Sequence, residues 1–135
     1  MQTKIDQTDD SGGQEKNEIL ETPYIPMEQY RALNRLAGKL NVTTDHVMRD
    51  AIDLVIKRGI AIGRDAAKTT PLDDVNKEDI KRVVKSLHEH EDKILGSVFV
   101  PSEYDEQLKR WASRADVSAD DIICVAFDNF LKTQF

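Results

Sequence analysis

The sequence lacks the features that mark several large classes of protein. Its one cysteine, Cys124, can form no disulfide within the chain, and this cysteine usage suits a reducing compartment. No apolar run approaches the length that crosses a membrane, and the polar N-terminus does not have the pattern of a signal peptide. We therefore expect a cytoplasmic protein that does not associate with membranes.

Residue patterns that carry enzymatic chemistry are also missing. The sequence contains no glycine-rich phosphate loop, no nucleophile elbow and no zinc-ligand spacing. His88 and His90 lie in a run of acidic residues, but residues two apart on a helix point in different directions. We interpret that run as a solvated helix end, and His46 as a surface residue. We expect no enzymatic activity, no metal site, no cofactor and no small-molecule substrate.

The sequence contains fewer basic than acidic residues. The chain has 19 Lys and Arg residues against 25 Asp and Glu, which gives a formal net charge of −6, whereas nucleic-acid-binding proteins usually carry a basic patch. The deficit is uneven: residues 20–65 have seven basic and six acidic residues, and residues 94–135 have four and seven. Residues 1–18 are acidic and almost without apolar side chains, so we predict a disordered tail there.

What the sequence does contain is an internal repeat. The stretch of residues 24–57 lies over a second stretch without a gap when the sequence is shifted by 75 positions. The matches are mostly apolar or turn positions, which two copies of one architecture would retain. Matched pairs include Pro26 and Pro101, Leu33 and Leu108, Ala37 and Ala112, Val42 and Val117, and Ala51 and Ala126.

Both copies predict the same order of elements. An extended run that ends in proline, Leu20–Pro26 or Leu95–Pro101, precedes an amphipathic helix. A break with a hydroxyl-bearing capping residue then leads into a second helix with a wider apolar stripe. The predicted apolar positions of the first helices are Tyr30, Leu33, Leu36, Ala37 and Leu40, and Tyr104, Leu108, Trp111, Ala112 and Ala115. Cys124 lies between the stripes of its helix, which predicts a partly exposed thiol without a catalytic role.

These patterns predict a mostly α-helical fold with a short antiparallel β-ribbon. A strand with two helices cannot bury its apolar stripe alone, and a lone strand leaves backbone groups unpaired. We therefore expect the two extended runs to pair with each other, within one chain or between chains. The predicted segments are a tail (1–18), a first unit (19–59), a linker with a short helix capped by Asn76 (60–93) and a second unit (94–135).

Each copy resembles the ribbon-helix-helix superfamily, the fold of the MetJ and Arc repressors. The resemblance covers residues 20–59 and 95–133, and rests on the proline-terminated strand, the turn and the start of the second helix. Those turns read Val42-Thr43-Thr44-Asp45-His46-Val47-Met48, followed by Ala51, and Val117-Ser118-Ala119-Asp120-Asp121-Ile122-Ile123, followed by Ala126. Tandem copies in one chain are similar to TraY-type proteins of conjugative plasmids.

The resemblance implies that the paired strands enter the major groove of DNA, while the start of each second helix holds a backbone phosphate. Alternation back from each proline predicts that Ile25 and Val100 face inward. The outward positions are then Leu20, Thr22, Tyr24, Leu95, Ser97 and Phe99. The resulting DNA-binding candidates are Thr22, Tyr24, Thr43, Thr44, Ser97, Phe99 and Ser118.

The sequence leaves two functions open. The first is a transcriptional regulator or conjugation accessory protein of plasmid or phage type that binds double-stranded DNA, with the less acidic first copy touching phosphates. The second is an interaction module, antitoxin-like or hetero-oligomeric, that pairs with itself or another ribbon-helix-helix chain and does not read DNA by itself. The hydroxyls of Thr22, Thr43 and Thr44 favour the first function, and the apolar outward residues favour the second.

Overall fold

A computed structural model describes residues 17–61, 69–87, 89 and 92–134 of the chain. His88 and His90 lie outside these ranges, as do residues 1–16. The last residue of the predicted tail, Glu18, is nevertheless part of a strand, so the predicted tail extends too far into the chain. The described part is mostly helical, with a short antiparallel pairing of strands, as the sequence predicts.

Strand, helix and helix follow one another twice along the described chain. The first series comprises strands β1 (Glu18–Glu21) and β2 (Tyr24–Pro26) and helices α1 (Met27–Leu40) and α2 (Thr44–Arg58). A 3₁₀ turn (Leu72–Asp74) and helix α3 (Lys77–Leu87) come between the two series. The second series comprises strands β3 (Lys93–Leu95) and β4 (Val98–Pro101) and helices α4 (Ser102–Ala115) and α5 (Ala119–Gln134).

Local chemistry explains where the helices begin and end. α1 and α4 follow Pro26 and Pro101, whose fixed φ is compatible with the first turn of a helix. They end at Asn41 and Asp116, which adopt left-handed conformations with φ of 59° and 60°. Asn and Asp tolerate this conformation better than other non-glycine residues, and the backbone N–H of each bonds back to the last turn.

The strands of the two series pair antiparallel within the one chain, which confirms the predicted pairing. β1 pairs with β4, so that Leu20 lies opposite Phe99, and β2 pairs with β3, so that Tyr24 lies opposite Leu95. Both pairings have one register, which places Thr22 opposite Ser97 between them. We call the paired segments 18–26 and 93–101 the ribbon.

A single hydrophobic core lies beneath the ribbon and draws on both series of elements. Ile25 and Val100, the predicted inward residues, are fully buried. Helix α2 packs against α5, and each also packs on the first helix of its own series. Four apolar positions that match across the repeat are buried, as expected for a shared core: Leu33, Leu108, Ala51 and Ala126.

The described part of the linker packs against the second half of the structure. Helix α3 begins at the cap predicted from the sequence, where the Asn76 side chain accepts a hydrogen bond of 2.8 Å from the Glu78 amide. It packs against α4 and α5, and the Trp111 indole N–H donates to Asp73 in the 3₁₀ turn at 2.7 Å. At the corresponding end of α1, Leu40 is 50% exposed. The prediction that Leu40 is an apolar core position is therefore wrong.

No helix in the ranges that the structure describes is long and apolar enough to span a lipid bilayer.

Candidate nucleic-acid interface

The outer face of the ribbon presents the six side chains that alternation places outward. All six are exposed, which confirms their predicted orientation: Leu20, Thr22, Tyr24, Leu95, Ser97 and Phe99. The four apolar ones are about half exposed, from 47% for Leu20 to 59% for Tyr24. None of the six carries a charge. These six side chains therefore form a neutral, largely apolar surface that remains uncovered in the described part of the chain.

The ribbon face has a regular order. Leu20 and Phe99 form one apolar pair across the strands, Tyr24 and Leu95 form the other, and two hydroxyl residues lie opposite each other between them. Each apolar pair combines one leucine with one aromatic residue. At a rise of about 3.3 Å per residue, the two apolar pairs are roughly 13 Å apart along the strands.

The second helix of each series packs beside the ribbon near its N-terminus. In α2, the Arg49 guanidinium donates to the carbonyl of Phe99 at 3.2 Å and also binds Glu18 at 2.7 Å. In α5, the Asp120 carboxylate accepts from the backbone N–H of Tyr24 at 3.3 Å. The helix starts therefore flank the ribbon face, each close to an outward aromatic residue of the other half.

The start of α2 has the geometry of a hydroxyl cap. The Thr43 hydroxyl accepts a hydrogen bond of 3.1 Å from the amide of His46, and the Thr44 hydroxyl contacts the Asn34 side chain. His46 is exposed, as predicted for a surface residue, and its ring lies 3.2 Å from Asp50 one turn later. Asp45 is the one acidic residue in the first turn.

The start of α5 is different, because a carboxylate caps it. The Asp121 carboxylate accepts from the Ser118 amide at 3.0 Å, while the Ser118 hydroxyl accepts from the Asp121 amide at 3.1 Å. This reciprocal pair is a capping box. Asp120 adds a second negative charge to the same turn. The Ser118 amide therefore already has an anionic partner, and the first turn of this helix carries two carboxylates.

A pair of carboxyl groups that no sequence pattern marks lies below the ribbon on the α4 side, formed by half-buried Glu21 and buried Asp105. Asp105 is 7% exposed and forms an ion pair of 2.9 Å with Lys109. Burial, together with a side-chain hydrogen bond to Asp105, raises the pKa of Glu21 to about 7. The hydrogen bond from Glu21, followed by Lys109, lowers the pKa of Asp105. At acidic to neutral pH the two carboxyl groups therefore share a proton that resides on Glu21.

The Glu21 carboxyl makes the stability depend on pH. Its pKa is about 7 in the folded protein and 4.5 in an ordinary environment, so the folded state holds a proton that the unfolded state releases. Stability conferred by that proton is lost as pH rises from about 4.5 to 7. We expect the Tm at pH 5.5 to exceed that at pH 8 by roughly 3–6 °C, about 1 kcal/mol after solvent screening. Melts of Glu21→Gln should lose this difference; an unchanged pH slope in that variant would assign the effect elsewhere.

Cys124 corrects a prediction. Its side chain is buried rather than partly exposed, and its Sγ lies 3.4 Å from the carbonyl oxygen of Tyr24. Burial, with smaller contributions from Asp121 and Asp120, raises the pKa of the thiol to about 12. The group stays a neutral thiol at physiological pH, and a neutral buried thiol is a poor nucleophile and a poor metal ligand. Within the described ranges, no three His, Cys, Asp or Glu side chains are grouped so as to hold a metal ion.

Comparison with protein-family models, with curated proteins and with solved structures finds no match for this chain.

Proposed function

We propose that the protein binds double-stranded DNA through the ribbon face, as a tandem ribbon-helix-helix protein. The observation that carries this proposal is the exposed outer face, where Thr22 and Ser97 lie opposite each other at its centre. The major groove of B-DNA is wide enough to admit a two-stranded ribbon. Hydroxyl groups can donate to or accept from base edges, so the centre of the face has suitable chemistry for base contacts.

The start of α2 supports a phosphate contact beside the groove. Backbone amides at a helix start and the helix dipole together favour an anion there. Arg31 and Asn34 lie on one face of α1, three residues apart, and Asn34 contacts Thr44 at the helix start. The start of α5 already carries the Asp121 carboxylate. We therefore assign the phosphate contact to Thr43 and Thr44 and not to Ser118.

In a cell, this activity suits a transcriptional regulator or a conjugation accessory protein of plasmid or phage type. Such a protein works in the cytoplasm and needs neither a cofactor nor a small-molecule substrate. The resemblance to tandem ribbon-helix-helix proteins supports this reading. Because both strands of the ribbon belong to one chain, a single protein molecule would supply the whole reading surface.

Replacing Thr22 by alanine should relax sequence preference without unfolding the protein. The side chain is exposed at the centre of the ribbon face, so its loss removes a base contact and leaves the core intact. Discrimination between a selected duplex and one mutated at its centre should fall by about 1–3 kcal/mol. Fluorescence anisotropy measures both affinities. Ser113→Ala, an exposed hydroxyl on α4, is the control, and equal discrimination in the two variants would remove Thr22 from the reading surface.

Replacing Arg31 by alanine should weaken binding to all duplexes alike. One lost phosphate contact reduces the slope of log affinity against log salt by about 0.9. Lys57→Ala removes the same charge near the opposite end of α2, where the ammonium pairs with Asp53 at 3.2 Å, and should leave the slope unchanged. Anisotropy titrations over a range of salt concentrations give the slopes. Equal slopes for parent protein and Arg31→Ala would argue against a phosphate at the start of α2.

The second candidate function is an interaction module, which the four exposed apolar side chains and the net charge of −6 favour. In that case the ribbon face would contact a second copy or another ribbon-helix-helix chain. Sedimentation experiments on the parent protein and on Phe99→Ala would then show a smaller assembly mass for the variant, because the variant lacks an aromatic contact in the interface. Absence of binding to any duplex at low salt, with such a loss of mass, would replace the DNA-binding proposal by this one.

A further inference from the structure

The six outward side chains are unusual for a surface that reads base edges, because an apolar pair lies on each side of the central polar pair. Four of the six are leucine or aromatic, and the polar pair lies in the centre. None of these six side chains is an arginine or lysine, which specify guanine by a two-pronged hydrogen bond, or an asparagine or glutamine, which specify adenine. The two apolar pairs therefore need an apolar feature of the groove. In the major groove of unmodified DNA, that feature is the C5-methyl group of thymine.

We infer that the two apolar pairs of the ribbon bind thymine methyl groups at two places in the major groove, one on each side of the base pairs met by Thr22 and Ser97. This inference rests on the proposed DNA binding. The apolar pairs are roughly 13 Å apart along the strands, and bases in one DNA strand follow each other every 3.4 Å. The two thymine sites are thus about four base pairs apart.

The pairing also sets the symmetry of the target. Leu20 lies across from Phe99, and Leu95 lies across from Tyr24, so each end of the face offers a leucine and an aromatic ring. An approximate two-fold axis between the antiparallel strands relates these two ends of the face to each other. The target is therefore an inverted pair of thymine-containing steps around a short centre. That centre is read less strictly, because a hydroxyl can donate a hydrogen bond to an acceptor or accept one from a donor.

Two pools of duplex DNA test the inference directly. Both carry the same random central segment, and one is synthesised with thymine and the other with uracil, which differs only by the missing methyl group. Burial of a methyl group contributes about fourfold in affinity, so loss of two methyl groups weakens binding roughly 15-fold. After selection of the tightest binders from the thymine pool, each sequence is remade with uracil. The affinities of the two forms are then compared by anisotropy.

Variants of the ribbon face show whether its own side chains contact the thymine methyl group. Leu20→Ala and Leu95→Ala, combined in one protein, should bring the ratio of thymine to uracil affinity close to one. Both leucines are about half exposed, so their loss spares the core. Leu40→Ala is the matched control, because this leucine is equally exposed but lies at the end of α1, away from the ribbon. It should keep the full ratio.

The outcomes separate the inference from the function on which it rests. Preference for thymine in the parent protein, lost in the double variant and kept in the control, supports methyl recognition. Equal affinity of the parent for thymine and uracil forms would overturn it and leave DNA binding in place. Lack of binding to either pool at low salt would overturn both, and the apolar face would then be assigned to a protein partner.

Discussion

Replacing Leu108 by alanine is expected to lower the free energy of unfolding by about 2–5 kcal/mol. The side chain is 1% exposed and belongs to the core formed by both series of elements. Removal of three carbon atoms loses their burial and leaves a cavity that a rigid, close-packed surrounding fills only in part. Leu33, its counterpart in the repeat, is also fully buried and should give a loss of similar size.

Thermal and urea melts followed by circular dichroism measure this loss, and Leu40→Ala provides the comparison. Leu40 is half exposed, so its replacement should change stability by no more than about 0.5 kcal/mol. The contrast between two leucines in equivalent helices tests the packing of the second half directly. A melt of Leu108→Ala that coincides with the parent would show that α4 does not pack as described.

Replacing Gly59 by alanine is expected to cost about 1–3 kcal/mol, the second large effect. The glycine ends α2 with φ of 89°, a conformation that residues with a Cβ rarely adopt. A Cβ placed there would lie 1.8 Å from the carbonyl oxygen of Thr70, so the backbone itself would have to move. That oxygen accepts the amide of Ile60 at 2.9 Å in the bridge that ties the linker to the core.

A second glycine gives the opposite expectation and serves as the control. Gly38 lies inside α1, and a Cβ added to it meets no atom within 4 Å. Gly38→Ala should therefore stabilise the protein by about 0.5–1 kcal/mol, because alanine favours a helix over the unfolded chain. Opposite shifts in Tm for the two glycine variants would confirm both backbone assignments. A stable Gly59→Ala variant would contradict the close approach of Thr70.

The ribbon was the most predictable part of the fold, for a physical reason. Side chains in a strand alternate strictly between two faces, and the prolines at 26 and 101 fix where each strand ends. Orientation of Ile25, Val100 and the outward residues follows from counting. The apolar stripes of the helices likewise follow from the 3.6-residue period, which is why the central core positions of both halves are buried as expected.

The path of the linker was not predictable, and it explains the error at Leu40. Two equivalent helices carry similar stripes, but only α4 is covered by the 3₁₀ turn and α3. Nothing in the repeat tells which half receives a segment that lies outside the repeat. The burial of Cys124 was unpredictable for a related reason. Its counterpart in the first half is Arg49, which remains exposed. Equivalent positions can differ in burial when their neighbours differ.

Two features of the candidate interface differ in how well the sequence predicts them: the capping box at the start of α5 is predictable, and the contact between Glu21 and Asp105 is not. Asp121 stands three residues after Ser118, the spacing of a capping box, so the occupied helix start could have been found from the sequence. The contact between Glu21 and Asp105 joins residues 84 positions apart in the chain. Its existence depends on the side of the ribbon against which α4 packs, and no local pattern encodes that.

The ribbon is made by one chain, and this changes how the protein can evolve. In a dimer of identical chains, any mutation appears in both strands together, and the surface stays symmetric. Here a substitution at Leu20 leaves Leu95 as it was, since each is encoded separately. The two ends of the surface are free to diverge one step at a time. Under the proposed DNA binding, the lineage would gain recognition of a target with unlike halves without recruiting a second gene.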